Sequence, residues 1–159
     1  MKTDIICVGK IKESFYRDAV KEYEKRLSRY VNLKIYEVAD EKTDESASES
    51  ENEKVLKTEA ARILKHIRDD AFVITLEIKG LRLSSVELAD RIKDLAVGGV
   101  SHLQFVIGGS LGLHEDVIKK SDLHLSFSEF TFPHQLMRVI LLEQIYRAMK
   151  INAGEPYHK

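Results

Sequence analysis

Five short apolar runs, rich in β-branched residues, alternate along the chain with stretches of helical periodicity. They fall at residues 5–8, 33–38, 72–78, 103–107 and 123–127. Runs of this kind suit strands buried on both faces. Between them Phe15, Ala19, Tyr23 and Leu27 recur every fourth residue, and Leu56, Ala60, Ile63, Leu64 and Ile67 share one face of a second helix. Ser84-Ser-Val-Glu87 reads as a capping box, with Leu88, Ile92 and Leu95 following at helical spacing. A short helix is expected over 113–120. The last helix is expected to open at Phe132-Pro133, with proline in its first turn. A β-α unit repeated five times argues for an α/β fold with a largely parallel sheet.

The length of 159 residues is enough for one domain with a real core and short of two. No apolar run approaches a membrane span. The opening Ile5-Ile-Cys-Val8 lacks the pattern of a signal peptide, so a cytoplasmic protein is expected. The single cysteine, Cys7, sits in that run and reads as a core residue. Residues 40–54 are acidic and hold almost nothing to bury. They read as a mobile loop, or as a flap beside an active site.

The chemistry-bearing patterns exclude several classes. The six histidines show no metal-ligand spacing and no cysteine partners, so no metal is expected. No G-x-S-x-G elbow is present. Gly108, Gly109 and Gly112 follow the fourth strand as G-G-x-x-G, which fails the dinucleotide fingerprint, and the lysine of a P-loop is missing. What remains is a glycine-bearing strand end at residue 108 and a second strand end at residue 127. In open α/β sheets, ligands bind at the carboxyl ends of strands. Two such ends near in sequence suggest one pocket. His134, in the first turn of the last helix, is expected to stay neutral beside the helix dipole.

The last helix is apolar over most of its circumference, with Glu143, Arg147 and Lys150 on one narrow stripe. That suggests burial against more than its own sheet, and hence a subunit interface. Arg138 stands on the apolar side and must be paired or bound to an anion. The net charge of −1 is a poor signature for a nucleic-acid binder. Any RNA-binding surface must be local or assembled from two subunits.

Four motifs occur in order: Val106-Ile-Gly-Gly-Ser-x-Gly-Leu-His114, Leu125-Ser-Phe-Ser-x-x-Thr-Phe-Pro-His-Gln-x-Met-Arg138, Glu143-Gln-Ile-Tyr-Arg147 and the terminal Pro156-Tyr-His-Lys159. With Val8-Gly-Lys10 and Ile74-Thr-Leu-Glu77 they cover essentially the whole chain. The sequence resembles the ribosomal RNA large subunit methyltransferase H family, of the SPOUT class. The resemblance implies a SPOUT-type α/β fold, a mostly parallel five- to six-stranded sheet with a C-terminal trefoil knot, and a homodimer. It implies methylation of N3 of a pseudouridine in a 23S rRNA stem-loop at the ribosomal subunit interface, with S-adenosyl-L-methionine as methyl donor. The cofactor site it implies comprises Leu76, Gly108 and the run Phe127, Ser128, Glu129, Phe130, Thr131 and Phe132. Tyr157 and His158 would face the RNA base from the partner subunit. Members of the family usually carry lysine and methionine where this chain has Glu129 and Phe130. Backbone contacts survive that change, whereas a basic contact at residue 129 does not. Lys2, Lys10, Lys12, Arg138, Arg147, Lys150 and Lys159 are candidates for a basic rim.

For the reaction so implied, the imide must lose its proton, and His158 is the first candidate base because imidazole titrates near neutrality. Glu143 is the second. Arg138 is the candidate for stabilising the developing oxygen charge. Two other readings stay open on the residues alone: another α/β nucleotide-binding transferase, and a ribosome-associated binding module without chemistry.

Overall fold

The computed structural model describes residues 1–159. Five strands alternate with five helices: β1 (Lys2–Val8), α1 (Ser14–Leu27), β2 (Asn32–Val38), α2 (Glu49–Leu64), β3 (Phe72–Arg82), α3 (Ser85–Val97), β4 (His102–Ile107), α4 (Glu115–Ile118), β5 (Leu123–Ser126) and α5 (His134–Asn152). The strands form one sheet in the order β2-β1-β4-β3-β5, and every pairing is parallel. The sheet is therefore the five-stranded parallel one that the alternation predicts.

Strand alternation sorts the core into two layers. Ile5 and Cys7 of β1 and Leu103, Phe105 and Ile107 of β4 pack under α1, α3 and α5. Ile6, Val8 and Val106 turn the other way, against Ala60 and Ile63 of α2 and Val117 of α4. The central strands are thus apolar on both sides. Cys7 is buried within this core.

Three boundaries differ from expectation. Residues 49–54 belong to α2 and not to the acidic loop. Ser48 caps the helix by accepting from the Glu51 amide at 3.2 Å, and Glu49 and Glu51 favour the positive end of its dipole. Pro133 is the N-cap of α5, just outside the first turn. β3 runs on to Arg82. It pairs with β5 at Leu76 and, after a shift, at Leu81, so residues 77–80 bulge between the two registers. Gly80 permits this, because a Cβ there would lie 2.8 Å from the His124 carbonyl. α3 carries the expected capping box, with Ser84 and Glu87 bonded reciprocally.

Candidate active site

A cavity of about 540 Å³ opens at the carboxyl ends of β3, β4 and β5. The β3 bulge supplies Leu76, Glu77 and Ile78; the loop after β4 supplies Gly108, Gly109, Ser110 and Gly112; and the loop into α5 supplies Phe127, Ser128 and Phe130 through His134. Ile107, Leu125 and Met137 complete it. Its size lies within the range of small-molecule sites, and its walls are largely apolar with few polar groups.

The glycine loop is folded on itself. A Cβ on Gly108 would lie 2.4 Å from the Gly112 carbonyl oxygen. Gly112 has φ 84°, a left-handed conformation that glycine adopts without strain. Its amide donates to the Gly109 carbonyl at 3.0 Å. On the far side, a Cβ on Gly109 would meet the Glu59 carboxylate at 3.2 Å. Glu59 is buried at 4% exposure. That burial raises its pKa.

The facing loop is tied to the bulge by Ser126, whose hydroxyl donates to the Ile78 carbonyl at 2.8 Å. Ser128 accepts from the Phe130 amide at 3.0 Å and so tightens the turn. Phe130 is left 79% exposed at the pocket mouth. Glu129 faces outward and pairs with Arg82. On the bulge, Glu77 accepts from the Thr75 hydroxyl at 2.5 Å and contacts His124 Nδ1.

His134 lines the pocket on one side and packs against Gly9 on the other. Its Nδ1 is buried and has no protein partner. Burial, then the nearby Arg138 cation, lowers its pKa and favours the neutral ring. One turn on, Arg138 is 1% exposed; it donates to Glu37 at 2.6 Å and to the Gly9 carbonyl at 3.1 Å. Its head group is committed to this structural pair and is not one of the pocket walls.

A second polar cluster stands at the other end of α5. Glu143 Oε1 accepts from Arg147 Nε at 3.1 Å, from Arg147 Nη2 at 2.6 Å and from the Tyr157 hydroxyl at 3.0 Å. The Arg147 guanidinium lies 4.8 Å from the Tyr157 ring centroid, and its Nη1 is 3.2 Å from His158 Nδ1. Since guanidinium can only donate, His158 Nδ1 accepts, and the ring proton sits on Nε2. Burial and the Glu143 acceptor push the Tyr157 phenol up to about 12, so it stays a donor. Between His134 and Arg147 the helix rises roughly 20 Å, at about 1.5 Å per residue.

The family description "Predicted SPOUT methyltransferase" matches residues 1–158. The ribosomal RNA large subunit methyltransferase H of Bifidobacterium animalis subsp. lactis is 61% identical over 159 residues, and that of Bifidobacterium adolescentis is 62% identical over 159. Each alignment spans 100% of both chains. A solved structure, that of a probable methylase family protein from Haemophilus influenzae Rd KW20, superposes with a TM-score of 0.55 at 15% identity. The match covers 99% of this chain and 70% of that one. It shares the fold.

The chain belongs to the ribosomal RNA large subunit methyltransferase H family. It is a SPOUT methyltransferase.

In this methyltransferase the pocket gathers seven of the eight residues the sequence assigns to the cofactor. The eighth, Glu129, is turned away to Arg82. The groups assigned to chemistry are split. Glu143, Tyr157 and His158 come together, while Arg138 is held elsewhere by Glu37. Of the proposed basic rim, Arg138, Arg147 and Lys150 are each bound to a carboxylate. Outside the pocket, His102 Nε2 lies 2.6 Å from the buried Asp4 carboxylate. Glu77, Ile78 and Ser110 line the pocket without having been assigned to the site from the sequence. The bulge that turns the first two inward depends on how β3 pairs with β5, which no local pattern encodes.

Proposed function

We propose that this chain is an rRNA methyltransferase that uses S-adenosyl-L-methionine to methylate N3 of a pseudouridine in 23S rRNA. Its relatives are named for methylating large-subunit rRNA. The target would be the stem-loop at the subunit interface of the assembled ribosome, in the cytoplasm. The observation that carries the reading is the convergence of three strand ends on one apolar pocket, in a chain that matches the family along 1–158.

The residues present suit an S-adenosylmethionine-sized ligand. Leu76, Gly108 and the loop from Phe127 to Phe132 offer backbone groups and an apolar cradle. The donor, when bound there, supplies an activated methyl group, so the protein's work is chiefly positioning.

The terminal cluster lines no part of the pocket, and Glu143 stands about 9 Å along α5 beyond Met137, an arrangement that favours a homodimer. α1 and α3 already cover two sides of α5 within one subunit. Leu136, Val139 and Ile140 remain half-buried, and they supply an apolar seam for a second copy. Paired there, the terminus of one protomer reaches the pocket of its partner, and the entire chain of each serves as one domain. Tyr157 stacks on the target base, Glu143 and Arg147 hold the terminus in shape, and His158 presents an Nε2 donor to a base carbonyl. For His158 to take the imide proton, Arg147 must release Nδ1.

Titration calorimetry with S-adenosylmethionine, followed by methylation of ribosomes that lack the modification, tests this reading. Mass spectrometry of the product should place one methyl group on a pseudouridine of 23S rRNA. Methylation of another nucleotide, or none, overturns it.

A further inference from the structure

The chain carries 25 Lys and Arg against 26 Asp and Glu, so a surface of mixed sign is expected throughout. The outer face of α2 is an exception. Lys54, Lys57 and Lys65 are exposed there, and they border a shallow groove with Thr58, Ala61 and Arg62 that contains no carboxylate. Positions 54, 57, 58, 61 and 65 recur at the helical period and form one stripe. Of its cations, Arg62 is held by Glu41 and by the Ala39 carbonyl. Lys65 also lines a second groove of about 280 Å³ at the amino ends of the strands, with Lys2, Lys34 and Arg68. Of the two acids in its wall, Asp4 is 5% exposed and engaged by His102 and Gln104, and the exposed Asp70 pairs with Arg68 at 3.9 Å. Tyr36 and His66 stack in the same wall, their rings 4.6 Å apart.

Two of these cations have a local explanation. Lys34 lies on the edge strand β2, where lysine discourages pairing with another sheet. Lys65 complements the carboxyl end of α2. Lys54 and Lys57 have neither excuse, because the dipole favours a cation only near the last turn of a helix. The stripe is roughly 16 Å long, at about 1.5 Å per residue. It begins close to the glycine loop, where Glu53 of α2 contacts His114. α2 covers the sheet face opposite to α5, so a dimer formed through α5 leaves both stripes open.

We propose that the outer face of α2, continued by the groove at Lys2 and Lys34, docks on the phosphate backbone of rRNA. The stripe is a second contact, separate from the one at the methyl acceptor. This rests on the rRNA reading given above. A line of unpaired cations tracks a strand of phosphates, and an aromatic pair beside it suits an unstacked base. It also answers how a chain of net charge −1 holds a polyanion.

The test uses the full-length protein with Lys54→Gln, Lys57→Gln and Lys65→Gln combined. Ribosome binding is measured by co-sedimentation over a series of salt concentrations, beside S-adenosylmethionine affinity and melting temperature. The slope of log affinity against log salt should fall by about 2 to 3, at about 0.7 to 0.9 per lost phosphate contact. KM for ribosomes should rise tenfold or more with kcat unchanged. Cofactor affinity and melting temperature should stay put, and the three Lys→Arg changes should retain binding. Lys93→Gln on α3 should have no effect. Wild-type affinity and slope in the triple glutamine variant would overturn the proposal alone. Weaker binding to ribosomes with undiminished binding to protein-free 23S rRNA would reassign the stripe to an acidic ribosomal protein, and overturn it equally. Wild-type protein that neither binds nor methylates ribosomes would remove the rRNA reading and this one together.

Discussion

Gly108→Ala is the sharpest probe of the pocket. The added methyl would sit 2.4 Å from the Gly112 carbonyl oxygen and 2.6 Å from its carbon, both backbone atoms of the same loop. An ordinary carbon–oxygen contact is about 3.3 to 3.6 Å, so the loop must open by about 1 Å. Overpacking of this kind costs about 1–3 kcal/mol. The loop is a pocket wall, so the displacement falls on the ligand as well as on the fold. At about 1.4 kcal/mol per tenfold, S-adenosylmethionine affinity should drop roughly 10- to 100-fold. Gly112→Ala separates sterics from conformation. Its Cβ meets nothing within 4 Å, but φ is 84°. It should lower the melting temperature through backbone strain of about 1–2 kcal/mol and cost less affinity than Gly108→Ala. Calorimetric titration and thermal unfolding of both variants decide the matter. Full cofactor affinity in Gly108→Ala would mean that this loop does not bound the site.

Deleting Tyr157–Lys159 should abolish methyl transfer to ribosomes and leave cofactor affinity nearly unchanged; a truncated enzyme working at full rate would take the terminus out of the reaction. Glu59→Gln should stabilise the protein, and more so at high pH. Burial raises the Glu59 pKa in the folded state. Its stability contribution is therefore full below the unfolded carboxylate value of about 4.3 and is lost as pH rises through the folded value. The gain in melting temperature should be larger at about pH 8 than at about pH 5, and a gain independent of pH would refute the assignment. Amide exchange should be fast over residues 42–47, where only a local turn is bonded, and slow in β3; strong protection of that segment would contradict the reading of it as mobile.

The strands were legible because the central ones are apolar on both faces, a pattern that few other structures produce. α3 was legible because Ser84 and Glu87 form its cap within four residues. The start of α2 was obscured because Glu49 to Lys54 reads as solvated loop, although Ser48 and Glu51 carry the same capping logic in a more acidic setting. The burial of Arg138 could be read from the helical wheel. Its partner Glu37 could not, since the two are joined only when β2 and α5 meet across the fold. The loop from Phe127 to Phe132 was assigned to the site from motif and strand ends, and it lines the pocket apart from Glu129. Its outward-facing member, Glu129, shows that motif membership fixes a backbone path and leaves side-chain direction to neighbours such as Arg82.

α5 is a rigid rod of 19 residues that carries His134 and Met137 at one end and Glu143 and Arg147 further along. A rod of this kind keeps count. Inserting one residue midway would turn everything beyond it by about 100° and shift it by about 1.5 Å. Arg147 would leave Glu143, and the side chains now packed beneath α1 and α3 would swing toward water. The helix should therefore accept substitutions along its length and reject insertions and deletions of a single residue. Length variation among descendants of this chain should collect instead between β2 and α2, where a longer connection costs little.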